Sequence, residues 1–130
     1  LLNSIPHTWV RDVWGVAKMY ETYVGSKKFE PDEEVFSLLR DTGKEYGATT
    51  GRPRQCNWMD FSLIERAVAI NSVTKLVFNK VDVLREVDQW KLIKDGEIID
   101  FEQEQRMTSW IEDHLPNSIE VFFSGSRYRI

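Results

Sequence analysis

Two short stretches of this sequence concentrate side chains that could do chemistry. The first is Gly47-Ala48-Thr49-Thr50-Gly51-Arg52-Pro53-Arg54. Its glycines let backbone approach a ligand closely, its threonines offer hydroxyl donors, and Pro53 fixes one backbone angle between the two arginines. A guanidinium binds carboxylate or phosphate through paired, charge-assisted hydrogen bonds. The segment therefore reads either as a preorganised anion cradle or as a solvated surface loop. The second stretch, Asn79-Lys80-Val81-Asp82, directly follows the apolar run Lys75 to Phe78. An Asn-Lys-x-Asp tetrad at a strand end is the arrangement by which GTPases recognise guanine. A carboxylate accepts two hydrogen bonds from the guanine N1-H and 2-amino group, while the lysine stem covers the ring; adenine presents no such donor pair. A charged strand-to-helix turn is the plain alternative.

Other reactive residues are sparse. Cys56, the single cysteine, cannot form an internal disulfide, which suits a reducing cytosol, and it reads as a small neighbour of the loop rather than a nucleophile. Gly25-Ser26-Lys27 lacks the upstream glycine that a phosphate loop needs.

Composition narrows the class. With 130 residues, 42% of them hydrophobic, the chain can build one domain with a sizeable core. Five tryptophans, seven phenylalanines and four tyrosines need somewhere to pack, which argues against disorder. A formal net charge of -4 advertises neither nucleic acid nor membrane, so any bound anion must be met by a local cluster. No apolar run approaches the length of a membrane span. The opening Leu1-Leu2, without Met or a leader pattern, reads as a fragment or as the remainder of a longer protein.

The elements that must position these stretches follow from periodicity. Thr8 to Val16 has near-helical apolar spacing and predicts a short helix. Ala17 to Val24 alternates and predicts a strand broken at Gly25-Ser26. Pro31-Asp32-Glu33-Glu34 is a helix start, leading through Val35, Leu38 and Leu39 to Gly43. Gly47 to Asn57 has almost nothing to bury and reads as a loop. Asp60 can cap a helix whose apolar positions include Phe61, Ile64 and Val68. Lys75 to Phe78 reads as a buried strand, and Lys91 to Phe101 as a hairpin turning at Asp95-Gly96. A helix over Met107 to Leu115 ends at Pro116-Asn117, and Ile119 to Phe123 is a last strand. Alternating strands and helices indicate an α/β fold, a mostly parallel sheet with flanking helices and a small hairpin. In open sheets of this kind, ligands sit at the carboxyl ends of strands, where the tetrad lies.

Taken together, the two stretches carry a family resemblance. EYGATTGRPRQCNWMDF followed by AVAINSVTKLVFNKVDVL is similar to the aspartate-loop and guanine-recognition segments of adenylosuccinate synthetases. WGVAKMYETYVG resembles the segment ahead of that family's substrate site, and IEVFFSG resembles its last strand and nucleotide-base loop. The resemblance covers most of residues 9 to 125. It implies that residues 1–130 are the carboxy-terminal portion of one domain of an enzyme joining L-aspartate to a 6-oxopurine nucleotide.

By that resemblance, Ala48, Thr49, Thr50, Arg52 and Arg54 would close over aspartate. Arg52 would also reach the ribose of the purine monophosphate, whose 2'-hydroxyl would meet the carbonyl of Val24. Arg54 would lie near the terminal phosphate of the triphosphate, GTP or ATP. Asn79, Lys80 and Asp82 would hold its base, with Ser124 and Gly125 closing the pocket. The family's Gly-rich phosphate loop, catalytic Asp and His, and Mg2+ ligands belong to an amino-terminal part absent from this chain, so no catalytic or metal-binding residue is expected here. His7 and His114 lie in the wrong contexts to replace the missing His. A homodimer in the cytoplasm is implied, with no nucleic-acid or membrane partner.

Two departures stand out. The stretch from Lys91 to Ile119 is shorter than in bacterial enzymes. It suits compact archaeal or phage branches, one of which uses dGMP in place of IMP within a host cytoplasm. Ser124-Gly125-Ser126 stands where Ser-Thr-Gly is usual, which leaves GTP against ATP open. Competing readings fare less well. Gly51-Arg52-Pro53 is the core of minor-groove hooks, but it lacks flanking basic residues in an acidic protein. A guanine-nucleotide-binding domain of GTPase type, without ligase activity, would use the tetrad but leaves GATTGRPR unexplained.

Overall fold

The computed structural model describes residues 9–125, in which seven strands and four helices share one hydrophobic core. Three parallel strands form the first sheet: β1 (Trp14–Lys18), β4 (Lys75–Asn79) and β7 (Glu120–Phe123), in the order β1-β4-β7. β4 takes the centre because Leu76, Val77 and Phe78 are buried in succession, the pattern of a strand covered on both faces. The second sheet is mixed, in the order β2-β3-β5-β6, from β2 (Tyr20–Tyr23), β3 (Gln55–Asp60), β5 (Lys91–Lys94) and β6 (Glu97–Asp100). Its β3–β5 pair is parallel, and its two outer pairs are antiparallel. The α/β class read from the sequence holds, with the strands divided between two sheets.

The helices are α1 (Val35–Gly43), α2 (Phe61–Asn71), α3 (Val81–Val87) and α4 (Glu104–His114). Asp60 caps α2 as the sequence suggests, accepting from the Ser62 and Leu63 amides. The β5–β6 hairpin turns through Asp95 (φ 52°) and Gly96 (φ 80°), the doubly left-handed backbone that an Asp-Gly turn favours. Phe36 of α1 meets Trp58 of β3 with ring centroids 4.9 Å apart, and α1 also lies against α3. Phe78, Leu84 and Leu92 continue the same core, which therefore includes strands of both sheets.

Three segments differ from the sequence expectation. In place of the helix over 8–16, whose first residue lies outside the described range, the chain is irregular until β1 begins at Trp14. Parallel pairing with β4 satisfies the β1 backbone, and that long-range partner is invisible to local periodicity. The strand foreseen over 17–24 is two strands parted at Met19. This fully buried residue still donates its amide to the Asn79 carbonyl (3.0 Å) as the chain crosses from one sheet to the other. The loop foreseen over 47–57 ends early, because Gln55–Asp60 forms β3 in antiparallel register with β2. Cys56 and Trp58 are buried there, alternating with the polar, half-buried Gln55 and Asn57. No helix among the described residues is long and apolar enough to cross a membrane.

Candidate functional site

Because β1, β4 and β7 are parallel, their carboxyl ends lie along one edge of the first sheet. Three segments leave from that edge: Met19-Tyr20, Asn79 to Asp82, and Ser124-Gly125. The last two are stitched together. The Ser124 amide donates to the Phe78 carbonyl (2.8 Å), and the Val81 amide donates to the Ser124 carbonyl (3.2 Å). Residues more than forty positions apart in the sequence therefore share one rim.

The tetrad is not a plain strand-to-helix turn. Lys80 precedes α3 with φ 67°, a left-handed backbone that costs a non-glycine residue about 1–2 kcal/mol. Of the five other such residues, Glu102 stands two residues before α4, while Lys44, Ser72 and Asp88 close helix carboxyl ends and Asp95 makes the hairpin turn, where this conformation is expected. Lys80 begins a helix instead. Its ammonium reaches the Gly43 carbonyl at the end of α1 (3.5 Å), so the stem is drawn across the rim. Asp82 is exposed on the first turn of α3. Asn79 Oδ1 is buried and has no hydrogen-bond partner among the described residues. An unmet acceptor beneath a rim is a cost that a ligand or water could relieve.

The arginine loop is a compact turn. The Gly47 amide donates to the Arg52 carbonyl (2.8 Å) and the Gly51 amide to the Gly47 carbonyl (2.9 Å), while Tyr46 pairs with Pro53 in an isolated bridge. Gly51 has φ 69°, a conformation open to glycine and strained for most other residues. Ala48, Thr49, Thr50 and Arg52 are all exposed at the tip, and the Arg52 amide approaches Thr50 Oγ1 (3.3 Å). Arg54 is different. Its amide donates to the Glu45 carbonyl (3.0 Å), its own carbonyl accepts from Arg40 Nε (2.8 Å), and its Nη1 lies 2.8 Å from Glu45 Oε1.

Glu45 is the residue that sequence reasoning missed. It is 1% exposed, and its carboxylate gathers Arg54, the Lys18 ammonium (3.3 Å) and the Tyr20 hydroxyl. Burial alone would raise its pKa. Hydrogen bonds from Tyr20 and Arg54, with the nearby Lys18 charge, outweigh burial and hold it below the ordinary value of 4.5. Tyr20 is correspondingly pushed up, first by burial and then by its bond to Glu45. Within EYGATTGR the glutamate gave no periodic signal, since two of its three partners, Lys18 and Tyr20, come from β1 and the start of β2. Its placement before the loop, in a stretch with little else to bury, was the only clue.

Val24 is exposed just beyond β2, and the chain after it is clamped by Gln55. The Gln55 amide group donates to the Lys27 carbonyl (2.7 Å) and accepts from the Phe29 amide (2.7 Å). Gly125 lies against the Arg85 guanidinium, which pairs with Glu104. Thus Asn79, Lys80, Asp82, Ser124 and Gly125 come together on one rim, and Arg54 connects to that edge through Glu45 and Lys18. Cys56 is buried, and burial pushes its thiol up to about 11, which leaves it no role as a nucleophile at neutral pH. His7 and Ser126 lie outside the described residues. Among the described residues no group of three or more His, Cys, Asp or Glu side chains could hold a metal ion.

A family model described as adenylosuccinate synthetase matches residues 2–121. The adenylosuccinate synthetase of Xylella fastidiosa (strain 9a5c) is 51% identical over 82 residues, covering 62% of this chain and 19% of the relative. That of Xanthomonas axonopodis pv. citri (strain 306) is 50% identical over the same extent. The match to these curated relatives spans about a fifth of their length. Among solved structures, the fully ligated adenylosuccinate synthetase from Plasmodium falciparum superposes with a TM-score of 0.61 at 33% identity, covering 87% of this chain and 28% of that one.

Proposed function

The chain belongs to the adenylosuccinate synthetase family, and from that premise we propose that it forms the aspartate-binding and base-recognition part of a ligase. The reaction joins L-aspartate to carbon 6 of a purine nucleotide, IMP, with GTP hydrolysis. In this reading residues 1–130 are the carboxy-terminal portion of one domain, completed by the amino-terminal part of the same enzyme. The outer edge of β1, unpaired among the described residues, supports such a partner, since Trp14 and Val16 of that strand stand 52% and 69% exposed.

The carrying observation is that the arginine loop and the tetrad are tied to one sheet edge. Lys18, the last residue of β1, lies opposite Asn79 in the ladder and bonds Glu45, which bonds Arg54. Two anionic partners, the aspartate carboxylates and a triphosphate, would therefore be brought together by one rigid framework. In the first step the 6-oxygen of the nucleotide attacks the terminal phosphorus of GTP, and GDP leaves. In the second, the aspartate amine attacks carbon 6, and the C–O bond breaks to release phosphate. Arg52 and Arg54 orient the aspartate carboxylates. Arg52 also meets the ribose above the Val24 carbonyl, and Arg54 offsets charge near the transferred phosphate. Ala48, Thr49 and Thr50 supply the loop's backbone and hydroxyl donors. Asp82 reads the base edge, Asn79 and Lys80 flank it, and Ser124 and Gly125 close the pocket.

Magnesium is implied by the family; by the same resemblance its ligands are assigned to the amino-terminal part, and no step here depends on it. A second reading, dGMP with ATP, rests on the short segment from Lys91 to Ile119 and on Gly125 where threonine is usual.

The test is formation of the succinyl nucleotide from monophosphate, triphosphate and aspartate. The chain alone is expected to give none, and the chain joined to the amino-terminal part of a relative is expected to turn over. Absence of turnover in the joined, folded protein with either nucleotide pair would overturn the ligase assignment. Activity only with dGMP and ATP would select the second reading.

A further inference from the structure

A buried carboxylate needs a reason. Glu45 and Ser124 are the buried polar or charged side chains among the described residues, and Glu45 alone of these carries charge. Paired charges in a core add little net stability over well-packed apolar residues, so stability does not explain its presence. Its contacts do suggest what it does. Arg54 is fixed through its backbone on both sides, by Glu45 and by Arg40, and then at one guanidinium nitrogen, Nη1. The Nε–Nη2 edge of the same guanidinium makes no hydrogen bond to any described residue, and the side chain is 32% exposed. That edge is the fork that pairs with a carboxylate or phosphate. Arg52, two residues away, is exposed and has no comparable hold.

We propose that Glu45 is a positioning residue: it grips Arg54 by one nitrogen and presents the opposite edge to the anionic ligand. Lys18 and Tyr20 fix Glu45 in turn, so the hold originates in β1 and β2 rather than in the loop. Gly43 makes room for it. A Cβ at that position would collide with the Tyr20 hydroxyl oxygen, the group that contacts Glu45. Preorganising one arginine lowers the ordering cost of binding, while the free Arg52 retains the reach to close over a ligand. The proposal rests on reading the loop as an anion cradle.

The experiment measures nitrogen-15 relaxation at the side-chain Nε of Arg54 and Arg52 in the whole chain, with Glu45→Gln and Gly43→Ala beside the native protein. Arg54 is expected to be ordered in the native chain and to fall below about 0.6 in order parameter in Glu45→Gln, the range of flexible groups. Arg52 is expected to be mobile in both, and Gly43→Ala to loosen Arg54 partially by displacing Tyr20. If Glu45→Gln does not fold, Glu45→Asp keeps the charge but shortens the reach, and carries the same expectation. An Arg54 as ordered in folded Glu45→Gln or Glu45→Asp as in the native chain overturns the proposal. In the joined enzyme, Glu45→Gln is expected to raise the KM for aspartate roughly 10-fold or more, as removal of a supporting partner commonly does, with a smaller change in kcat. An Arg54 that loosens without altering that KM leaves the hold standing and overturns the cradle reading instead.

Discussion

Lys18 stands opposite Asn79 in the parallel ladder of β1 and β4, while its ammonium turns to Glu45, 3.3 Å away. One residue thus belongs to the framework of the base-recognition turn and to that of the arginine loop. Replacing it with Met keeps the stem and removes the charge. The Glu45 carboxyl should then titrate at higher pH than in the native chain, because a cation that favours its ionised form is gone. Carbon-13 titration of the Glu45 carboxyl checks this, and an unchanged titration would remove Lys18 from the account.

The same carboxylate makes stability depend on pH in a definite direction. Its folded pKa lies below the ordinary value of 4.5, so the folded chain binds fewer protons there than the unfolded chain. Its stabilising contribution is complete above the unfolded value and is lost as pH falls through the folded one. Glu45→Gln should therefore cost stability at pH 7, about 1–3 kcal/mol for a lost charged hydrogen-bond partner, reduced where Lys18 and Arg54 reach solvent. The gap between native and variant should narrow in acid. Urea unfolding at several pH values measures it, and a gap independent of pH would sink the assignment.

Arg52 and Arg54 should separate in two measurements. Arg54→Leu takes a partner from buried Glu45 and should lower stability by about 1–3 kcal/mol. Arg52→Leu changes an exposed side chain and should stay within about 0.5 kcal/mol of native. In the joined enzyme, both should raise the KM for aspartate, but only Arg52→Leu should also weaken the monophosphate. Arg54→Leu should lower kcat, and lysine should rescue neither fully, since a point charge lacks the paired geometry. Equal thermal stability of the two variants would contradict the Glu45 contact, and normal aspartate kinetics in both would reduce the loop to surface.

Asp82 is exposed at the start of α3, where its carboxylate can meet a base edge. Asp82→Asn in the joined enzyme should reduce kcat/KM for GTP far more than for ATP. A site built to pair two substrate donors can discriminate by about 10⁴ or more, which bounds the loss. Equal losses with both triphosphates would show that this carboxylate does not read the base.

Much of the molecule was legible locally. The Asp60 cap, the Asp95-Gly96 turn and the buried run Leu76 to Phe78 each depend on residues within a few positions, and each took the expected form. The arginine loop and the tetrad stood out for the same reason, since residue types needed for anion and base contacts are adjacent in the chain. The partners of a strand or a buried charge lie far along the chain and leave no mark on local spacing. β1 became a strand because Lys75–Asn79 offered it a ladder, and β3 became one because Tyr20–Tyr23 did. Glu45 became the hold on Arg54 because the fold carried Lys18 and Tyr20 to it from more than twenty residues upstream. The sequence by itself determined which residues could meet an anion and a base. Only the tertiary structure decided which arginine is held and which is free, because a carboxylate buried among donors is made by packing.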